Sequence, residues 1–344
     1  GLVDLYRITG ESRYLELAGT FVDMRGSIPV AERAAMDVPP TVPYWFIGDQ
    51  CQMRTPLREE TRAVGHAVVG MYLWAGAADV VAETGEQALL DALELIWGDV
   101  KRQKMYVTGA LGQVHHGASG DFDMVHEAFQ EEYMMPNAIA YNETCANIAN
   151  AMFNQRLLGL KGESRFADIV ELVMLNSAMV GICTEGTHYF YANPLRMNHD
   201  TRDYSDTESD VRESYIECFC CPPNLVRTIA RSAGWAYSLS ENGISVNLYG
   251  GNELETSLRD GSRLALTQET HYPWDGNVTL TLRACKEAPF ELLLRIPDWA
   301  DGANLLVNGT HANVEVAPGT FARIERAWKP GDIVTLDLPM DCLL

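Results

Sequence analysis

The chain has 344 residues, of which 47% are hydrophobic and 21% are charged, so it can bury a large core and is long enough for two domains. Its 26 Lys and Arg residues against 47 Asp and Glu residues give a net charge of −21, which repels phosphate backbones and argues against a nucleic-acid partner. Since no apolar run reaches the length of a membrane span and no basic amphipathic helix is evident, we also expect no membrane partner.

The first part of the sequence, up to about residue 238, repeats apolar residues at the helical period. Two segments, Thr9-Gly10-Glu11 and Thr84-Gly85-Glu86, predict short turns between antiparallel helices. Such hairpins predict a toroid of helices, and because a double ring of six hairpins needs about twelve helices, we expect the chain to begin inside a domain. Seven helices are predicted, one ending at residues 6–9 and the others covering residues 12–25, 59–82, 86–101, 144–160, 164–180 and 224–238.

After about residue 239 the pattern changes to short segments of alternating or β-branched residues, separated by Gly, Asp, Asn or Pro. This pattern predicts an antiparallel β-sandwich. We therefore expect two domains, a helical domain of residues 1–238 and a sandwich domain of residues 239–344. The predicted strands cover residues 244–250, 262–272, 277–284, 290–297, 303–309, 320–326 and 333–339.

The chain contains eight cysteines, although a protein of this length does not need disulfides for its stability. Three of them crowd into Cys218-Phe219-Cys220-Cys221, which favours metal binding or redox chemistry over paired bridges. The remaining cysteines outside the candidate site, Cys51, Cys183, Cys285 and Cys342, are interpreted as ordinary buried apolar residues.

Glu143 and Cys145 precede an apolar helical segment. Two residues apart inside a helix they would face nearly opposite sides, since each residue turns the helix by about 100°, so they can bind one ion only at a helix start. Cys220 and Cys221 come just before a Pro-Pro pair, which suits the first turn of a helix. Three thiols and one carboxylate match the ligand preference of tetrahedral zinc. The open alternatives are a vicinal redox pair, plain buried cysteines, or Cys218 in place of one ligand.

Glu127 follows a glycine-rich loop of residues 107–117, and functional residues concentrate in such loops. A carboxylic acid beside a zinc-bound thiolate would form an acid and nucleophile pair, in which the acid protonates the leaving oxygen of a glycoside. The simpler interpretation, a solvated acidic face, is favoured for its neighbours Glu131 and Glu132.

Three motifs together resemble glycoside hydrolase family 127, the β-L-arabinofuranosidases. They are Tyr141-x-Glu143-Thr144-Cys145-Ala146, Glu127-Ala128-Phe129 sixteen residues before Glu143, and Cys220-Cys221-Pro222-Pro223-Asn224. Supporting segments extend the resemblance over nearly the whole chain, including Val64-Gly65-His66-Ala67-Val68 and Leu294-Arg295-Ile296-Pro297. The combination of motifs is specific, whereas each motif alone is a weak signal.

The resemblance implies an (α/α)6 barrel, of which residues 1–238 would be the C-terminal part, followed by the β-sandwich. It implies a zinc ion held by four residues and a retaining mechanism with Cys220 as nucleophile and Glu127 as general acid/base. Zinc keeps a thiol deprotonated, which is its nucleophilic form. The implied zinc ligands are Glu143, Cys145, Cys220 and Cys221, and the implied substrate-binding residues are His66, Glu171 and Tyr191. Without the family, His66 would be interpreted as a core histidine, Glu171 as a charge on a helix surface and Tyr191 as an aromatic residue of a strand.

Some residues depart from the family pattern beside the predicted site. His126 stands where the family has glycine before the acid/base, Met135 stands where it often has aspartate, and residues 118–124 extend the preceding loop. These changes leave the sugar open between β-linked L-arabinofuranose and another rare pectin sugar such as aceric acid.

The predicted partner is an oligosaccharide or glycoside substrate, and a homodimer is left open as the assembly. Two other classes of function stay open, namely a non-catalytic carbohydrate-binding protein stabilised by zinc and a thiol redox protein that uses Cys220 and Cys221. Reduced thiolates favour the cytoplasm, whereas pectin-degrading proteins can equally be periplasmic, so the compartment is not predicted.

Overall fold

The computed structural model describes residues 1–27, 48–196, 209 and 211–341. Seven α-helices lie in these ranges, as many as the sequence predicts, and each of them overlaps a predicted helix. No helix of the described residues is both long enough and apolar enough to cross a membrane. The helices are α1 Leu2–Thr9, α2 Ser12–Asp23, α3 Ala67–Thr84, α4 Gln87–Asp99, α5 Thr144–Lys161, α6 Ser164–Val173 and α7 Cys221–Ser232.

Tight turns ending in glycine join α1 to α2 and α3 to α4, and the two Thr-Gly-Glu predictions are confirmed. Gly10 and Gly85 have φ angles of 72° and 68°, a left-handed conformation that favours glycine. Their backbone N–H groups donate to the carbonyls of Tyr6 and Val81. Each of these helix pairs is therefore a closed helical hairpin.

The start of the third helix was predicted too early. Residues 57–59 form a short 3-10 helix, and α3 begins only at Ala67. Gly65 has a φ of 71°, and a side chain there would lie 1.8 Å from the backbone oxygen of Asp49. This close backbone approach fixes the segment before α3. The side chain of His66 then caps the helix, because it accepts a hydrogen bond from the N–H of Val68 at 3.2 Å.

The loop before the candidate acid, in which no strand was predicted, contains a two-stranded hairpin. β1 covers Val114–Ala118 and β2 covers Met124–Ala128, in antiparallel register. At the tip, the hydroxyl oxygen of Ser119 accepts hydrogen bonds from two backbone N–H groups at 3.3 Å. The Asp123 carboxylate accepts a further one from the N–H of Asp49 at 2.8 Å. The hairpin tip is thus anchored to the segment before α3.

Ten strands follow α7 in the described residues and form two sheets. They are β3 Tyr237–Leu239, β4 Gly243–Val246, β5 Asn252–Ser257, β6 Arg263–Thr270, β7 Asn277–Ala284, β8 Pro289–Ile296, β9 Asn304–Val307, β10 Thr310–His311, β11 Thr320–Ala327 and β12 Ile333–Asp337. One sheet has the order β10-β9-β12-β7-β6-β5, and the other has the order β11-β8-β4-β3. Buried residues of both sheets share one apolar core, which includes Leu266, Leu280 and Leu292.

The sandwich differs from the prediction in its details. β4 pairs with β8 in parallel, so the four-stranded sheet is mixed and not antiparallel throughout. β3 occupies residues that were predicted to be helical, because the helical path ends at Trp235. β5 was missed because its sequence, Asn252–Ser257, is largely polar. It is an edge strand whose alternate residues are exposed, so it needs apolar residues on one face at most.

The chain divides into two compact units, Gly1–Leu160 with Ile169–Thr228 and Lys161–Asp168 with Ile229–Leu344. The predicted division between residues 238 and 239 stays a prediction, and so does the (α/α)6 arrangement of the helices. Within the second unit, the buried guanidinium of Arg295 donates to the Asp168 carboxylate at 2.5 Å and to the backbone oxygen of Asn247 at 2.6 Å. These bonds tie residues 161–168 to β8.

Candidate active site

Glu143 and Cys145 lie at the start of α5, and Cys220 and Cys221 lie at the start of α7, as the sequence predicts. Glu143 directly precedes the first residue of α5, and Cys221 is the first residue of α7. The backbone at these points is only partly helical, so side chains two residues apart can turn toward one another. Two helix starts therefore bring the four predicted ligands together.

The donor atoms of these four residues all lie within 4.8 Å of one another. The sulfurs of Cys220 and Cys221 are 3.6 Å apart, and they lie 3.5 and 3.6 Å from Oε1 of Glu143. A tetrahedral zinc ion with ordinary bond lengths would separate two sulfur ligands by about 3.8 Å and a sulfur from an oxygen by about 3.5 Å. The residues present therefore fit zinc in both chemistry and spacing.

Burial makes this cluster electrostatically demanding. Glu143 and Cys145 are each 3% exposed and Cys221 is fully buried, and Oε2 of Glu143 has no hydrogen-bond partner among the described residues. Burial, followed by the charge of Glu127, raises the pKa of Glu143 well above its usual range. Hydrogen bonds from Cys145 and Cys221 lower the pKa of the Cys220 thiol. Cys220 is thus the thiol that ionises most readily, and a divalent cation would stabilise the remaining groups as anions.

Glu127 lies on β2 with a φ of 49°, a strained backbone conformation of the kind that occurs at functional sites. Its carboxylate is buried, and Oε1 accepts hydrogen bonds from the hydroxyls of Tyr141 at 2.9 Å and Tyr191 at 3.4 Å. Burial raises the pKa of Glu127, but the hydrogen bond from His66, the neighbouring histidines and Tyr141 together outweigh burial and lower this pKa to about 2. The side chain is therefore held as a carboxylate in the substrate-free site.

His66 orients the Glu127 carboxylate as well as capping α3. Its Nδ1 accepts the N–H of Val68 at 3.2 Å, so the ring carries its proton on Nε2. This Nε2 lies 3.1 Å from Oε2 of Glu127. In this arrangement the Nε2–H of His66 can donate to the Glu127 carboxylate.

The other predicted site residues, Tyr191 and Glu171, and the alternative ligand Cys218 differ in their positions relative to the cluster. The Tyr191 hydroxyl lies 3.7 Å from the Cys218 sulfur and 3.4 Å from Oε1 of Glu127, and its one proton can be donated to either. Cys218 is exposed, its sulfur lies 4.0 Å from that of Cys220, and it is not one of the four converging donors. Glu171 is buried on α6, and it is not among the described side chains that line the cavity over the cluster. Its contact with the sugar stays a prediction.

A cavity of about 510 Å³ opens over the cluster, a volume within the usual range for small-molecule sites. The predicted residues in its lining are His66, Glu127, Glu143, Cys145, Tyr191 and Cys220. Tyr72, Asn224 and Arg227 are among the seven other residues that line it, and none of these three was predicted as a site residue. Asn224 accepts hydrogen bonds from the Arg227 guanidinium at 2.9 Å and from the Tyr72 hydroxyl at 3.0 Å. The three-residue spacing of Asn224 and Arg227 on α7 was the available signal, since it places both on one helix face.

Known proteins match this chain along nearly its whole length. The family model described as the GH127 catalytic domain of beta-L-arabinofuranosidases matches residues 1–234, and the GH127 middle-domain model matches residues 243–340. A curated relative, the non-reducing end beta-L-arabinofuranosidase of Bifidobacterium longum subsp. longum, is 32% identical, and the match covers 99% of this chain and 51% of the relative.

Solved structures give the same result. One described as a glycoside hydrolase has a TM-score of 0.91 at 44% identity, with 100% of this chain and 55% of that chain covered. A GH127 beta-L-arabinofuranosidase from Geobacillus stearothermophilus T6 has a TM-score of 0.87 at 34% identity, with 99% of this chain and 53% of that chain covered. The chain thus spans about half the length of the relatives that it matches. Because the catalytic-domain model matches residues 1–234 and the middle-domain model most of the remainder, the chain belongs to glycoside hydrolase family 127.

Proposed function

We propose that this chain carries the catalytic residues of a retaining glycoside hydrolase that releases β-linked L-arabinofuranose or a related rare plant sugar. One observation carries the proposal, namely that a buried carboxylate, Glu127, and a zinc-type cluster of one carboxylate and three thiols line the same cavity. The choice of sugar is supported by relatives that are named as beta-L-arabinofuranosidases.

The proposal includes an (α/α)6 barrel as the scaffold of the site. Its support is the pair of helical hairpins, α1 with α2 and α3 with α4, which are the repeating unit of such a barrel. The starts of α5 and α7 carry the ligand cluster, and the hairpin of β1 and β2 carries Glu127. The functional side chains thus come from segments between helices, which is where a helical scaffold presents them.

The proposed cofactor is zinc, with Glu143, Cys145, Cys220 and Cys221 as its ligands. Bound zinc would supply a stable thiolate at neutral pH, held in one position. Four protein ligands leave no open coordination position, so water activation of the kind seen in hydrolytic zinc enzymes is not part of the proposal.

The proposed reaction has two displacement steps. In the first, the Cys220 sulfur attacks the anomeric carbon, the bond to the leaving oxygen breaks, and the proton of Glu127 moves to that oxygen. The sugar is then covalently bound to Cys220. In the second, the Glu127 carboxylate takes a proton from water, the water oxygen attacks the anomeric carbon, and the sulfur leaves as a thiolate. Two inversions retain the configuration of the sugar.

Glu127 must be an acid in the first step and a base in the second. In the free site the donors His66 and Tyr141 hold it as a carboxylate, which suits the second step. Burial is already the largest single influence on its pKa, in the direction of the acid. A sugar that fills the cavity would exclude more water, raise the pKa of Glu127 and so favour the protonated form needed for the first step.

Two variants of the full-length protein test the proposal with an aryl β-L-arabinofuranoside. Cys220→Ser should abolish turnover because it removes the thiolate, and Glu127→Gln should lower it by about 10²- to 10⁴-fold because it removes the acid/base. Cys285→Ser, a half-buried cysteine of the second unit, is the matched control and should keep wild-type activity. Turnover by Cys220→Ser at a near wild-type rate would rule out the thiolate nucleophile.

A second candidate substrate is an acidic rare sugar such as aceric acid, and one observation favours it. Arg227 places a guanidinium on the cavity lining, where it would pair with a sugar carboxylate. A panel of pectin-derived glycosides tested on wild type and on Arg227→Gln separates the two. If Arg227→Gln selectively loses turnover of an acidic glycoside, the acidic sugar is supported. If wild type turns over only the neutral arabinoside, the acidic sugar is excluded. Bound zinc without turnover of any glycoside would favour a non-catalytic carbohydrate-binding protein.

A further inference from the structure

Three histidines form a second cluster of metal-binding side chains beside the cavity. His115 and His116 lie on β1, and His126 lies on β2. One ring nitrogen of each lies within 4.8 Å of the other two. The Nε2 atoms of His115 and His126 are 2.9 Å apart, and the ring centroids are separated by 4.1 to 4.8 Å. His126 lines the cavity and influences the pKa of Glu127, but none of the three residues takes part in the proposed displacement steps.

The strained backbone at Glu127 explains how three rings can meet on one side of a two-stranded hairpin. Adjacent residues of a regular strand point to opposite faces, so His115 and His116 would normally diverge. In the register, His116 pairs with His126 and Val114 pairs with Ala128. The position between them, where Glu127 has its φ of 49°, is not paired. The regular alternation is interrupted there, and the His115 and His116 rings lie edge to face.

The spacing and protonation of these rings suit a divalent transition metal. Metal–nitrogen bonds of about 2.1 Å place neighbouring ligands about 3.0 Å apart in an octahedral site and about 3.4 Å apart in a tetrahedral one. The Nε2 atoms of His115 and His126, which share a hydrogen bond, are 2.9 Å apart, and a ring nitrogen of His116 lies within 4.8 Å of the donor atoms of both. Burial, followed by repulsion from His126 and His116, lowers the pKa of His115 to about 4. Its imidazole is therefore neutral at neutral pH, as metal binding requires. His116 is exposed, so water can complete the coordination.

We propose that His115, His116 and His126 form a second metal site, which binds Ni²⁺, Zn²⁺ or another divalent ion that prefers imidazole ligands. It is separate from the Glu143–cysteine cluster and does not depend on the glycosidase proposal. Because Nε2 of His126 lies 3.8 Å from Oε1 of Glu127, an ion bound there would stabilise the Glu127 carboxylate. Its occupancy should therefore inhibit any reaction that uses Glu127 as an acid.

The site is tested by titrating Ni²⁺ into full-length protein without a histidine tag, after one equivalent of zinc has been supplied for the cysteine cluster, with calorimetric detection. Wild type should bind one further equivalent. His116→Gln and His115→Gln should each weaken that binding by at least about tenfold, since even the loss of an outer-shell partner weakens metal sites to this extent. The matched control is His311→Gln, an exposed histidine of β10, which should bind as wild type does. Absence of the further equivalent, or unchanged affinity in both cluster variants, would overturn the proposal.

A Co²⁺ titration of the same proteins distinguishes the two sites. Cobalt bound to cysteine gives an intense sulfur-to-metal charge-transfer band, and cobalt bound to imidazole alone does not. The further equivalent should bind without that band in wild type and be weakened in His116→Gln. A charge-transfer band that grows with this equivalent would assign it to the cysteines and overturn the histidine site. Failure of the cysteine cluster to bind metal would instead show as a first equivalent of cobalt without the band, in protein that has not been loaded with zinc. The two outcomes therefore stay separate.

Discussion

The hydroxyl of Tyr141 donates the shortest hydrogen bond that Glu127 accepts among the described residues, at 2.9 Å from Oε1. Removal of this hydroxyl should change the acid–base behaviour of the site. Tyr141→Phe deletes only this donor. The ring stacks on His115 with centroids 4.9 Å apart and planes 20° apart, and phenylalanine can keep that contact. The pKa of Glu127 should rise, because its carboxylate form loses a donor while its burial is unchanged.

The size of the shift follows from the energy of the bond. A hydrogen bond to a charged group contributes about 1.5–3 kcal/mol, and about 1.4 kcal/mol corresponds to one pKa unit. Tyr141→Phe should therefore raise the pKa of Glu127 by about one to two units above its starting value of about 2. Tyr191→Phe is the graded comparison, because its bond to the same oxygen is longer, at 3.4 Å, and should give a smaller shift.

Two assays on the full-length protein measure this shift. Infrared difference spectroscopy follows protonation of the carboxyl, whose band is assigned by its loss in Glu127→Gln. The pH profile of kcat/KM has a limb that reports the ionisation of Glu127. In Tyr141→Phe this limb should lie at higher pH than in wild type, since the acid form of Glu127 then persists to higher pH. An unchanged pKa in Tyr141→Phe, or a larger shift in Tyr191→Phe than in Tyr141→Phe, would refute the role given to these donors.

Three further predictions concern stability and metal binding. Arg295→Met should lower the free energy of unfolding by about 3–5 kcal/mol in urea titrations, because it removes the buried guanidinium that pairs with the Asp168 carboxylate. The exposed control Arg263→Met should change the free energy of unfolding by at most about 0.5 kcal/mol, and a loss in Arg295→Met no larger than that of the control would contradict this prediction. Gly65→Ala should destabilise the protein by at least about 1–3 kcal/mol, since the new side chain would meet the Asp49 oxygen, and wild-type stability would show the contact to be absent. A chelator should lower the thermal midpoint of wild type, because zinc binds the native state. It should lower the midpoint less in Glu143→Gln, and equal shifts in the two proteins would show that Glu143 is not a zinc ligand.

The helix starts of the candidate site were predictable from local chemistry. A Pro-Pro pair after Cys220 and Cys221 and an apolar run after Glu143 predicted two helix N-termini, and the structure has both. Helical periodicity then predicted segments that overlap each of α1 to α7. What the sequence could not show is that the two starts meet, since that depends on tertiary packing between residues about seventy-five positions apart.

The hairpin of β1 and β2 was not predicted because its strands lack the residues that mark a strand. β1 reads VHHGA, and its neighbour Glu127 adopts a left-handed φ that only glycine favours. This conformation is stabilised by the strand pairing and the contacts of Asp123, and not by local propensity. The sequence also could not show that Tyr141 and His66 donate hydrogen bonds to Glu127, because they reach it from separate segments. The histidine cluster likewise exists only after the hairpin has formed.

Identification of the covalent intermediate tests the central claim most directly. Full-length protein should be quenched in acid during turnover of an activated arabinoside that is slow to deglycosylate, then digested and analysed by mass spectrometry. We predict one pentosyl group on the peptide that contains Cys220, no label in Cys220→Ser, and release of the sugar with retained configuration. A label on a different residue, or an inverted product without any label, would contradict the assignment of Cys220 as nucleophile and Glu127 as its acid/base.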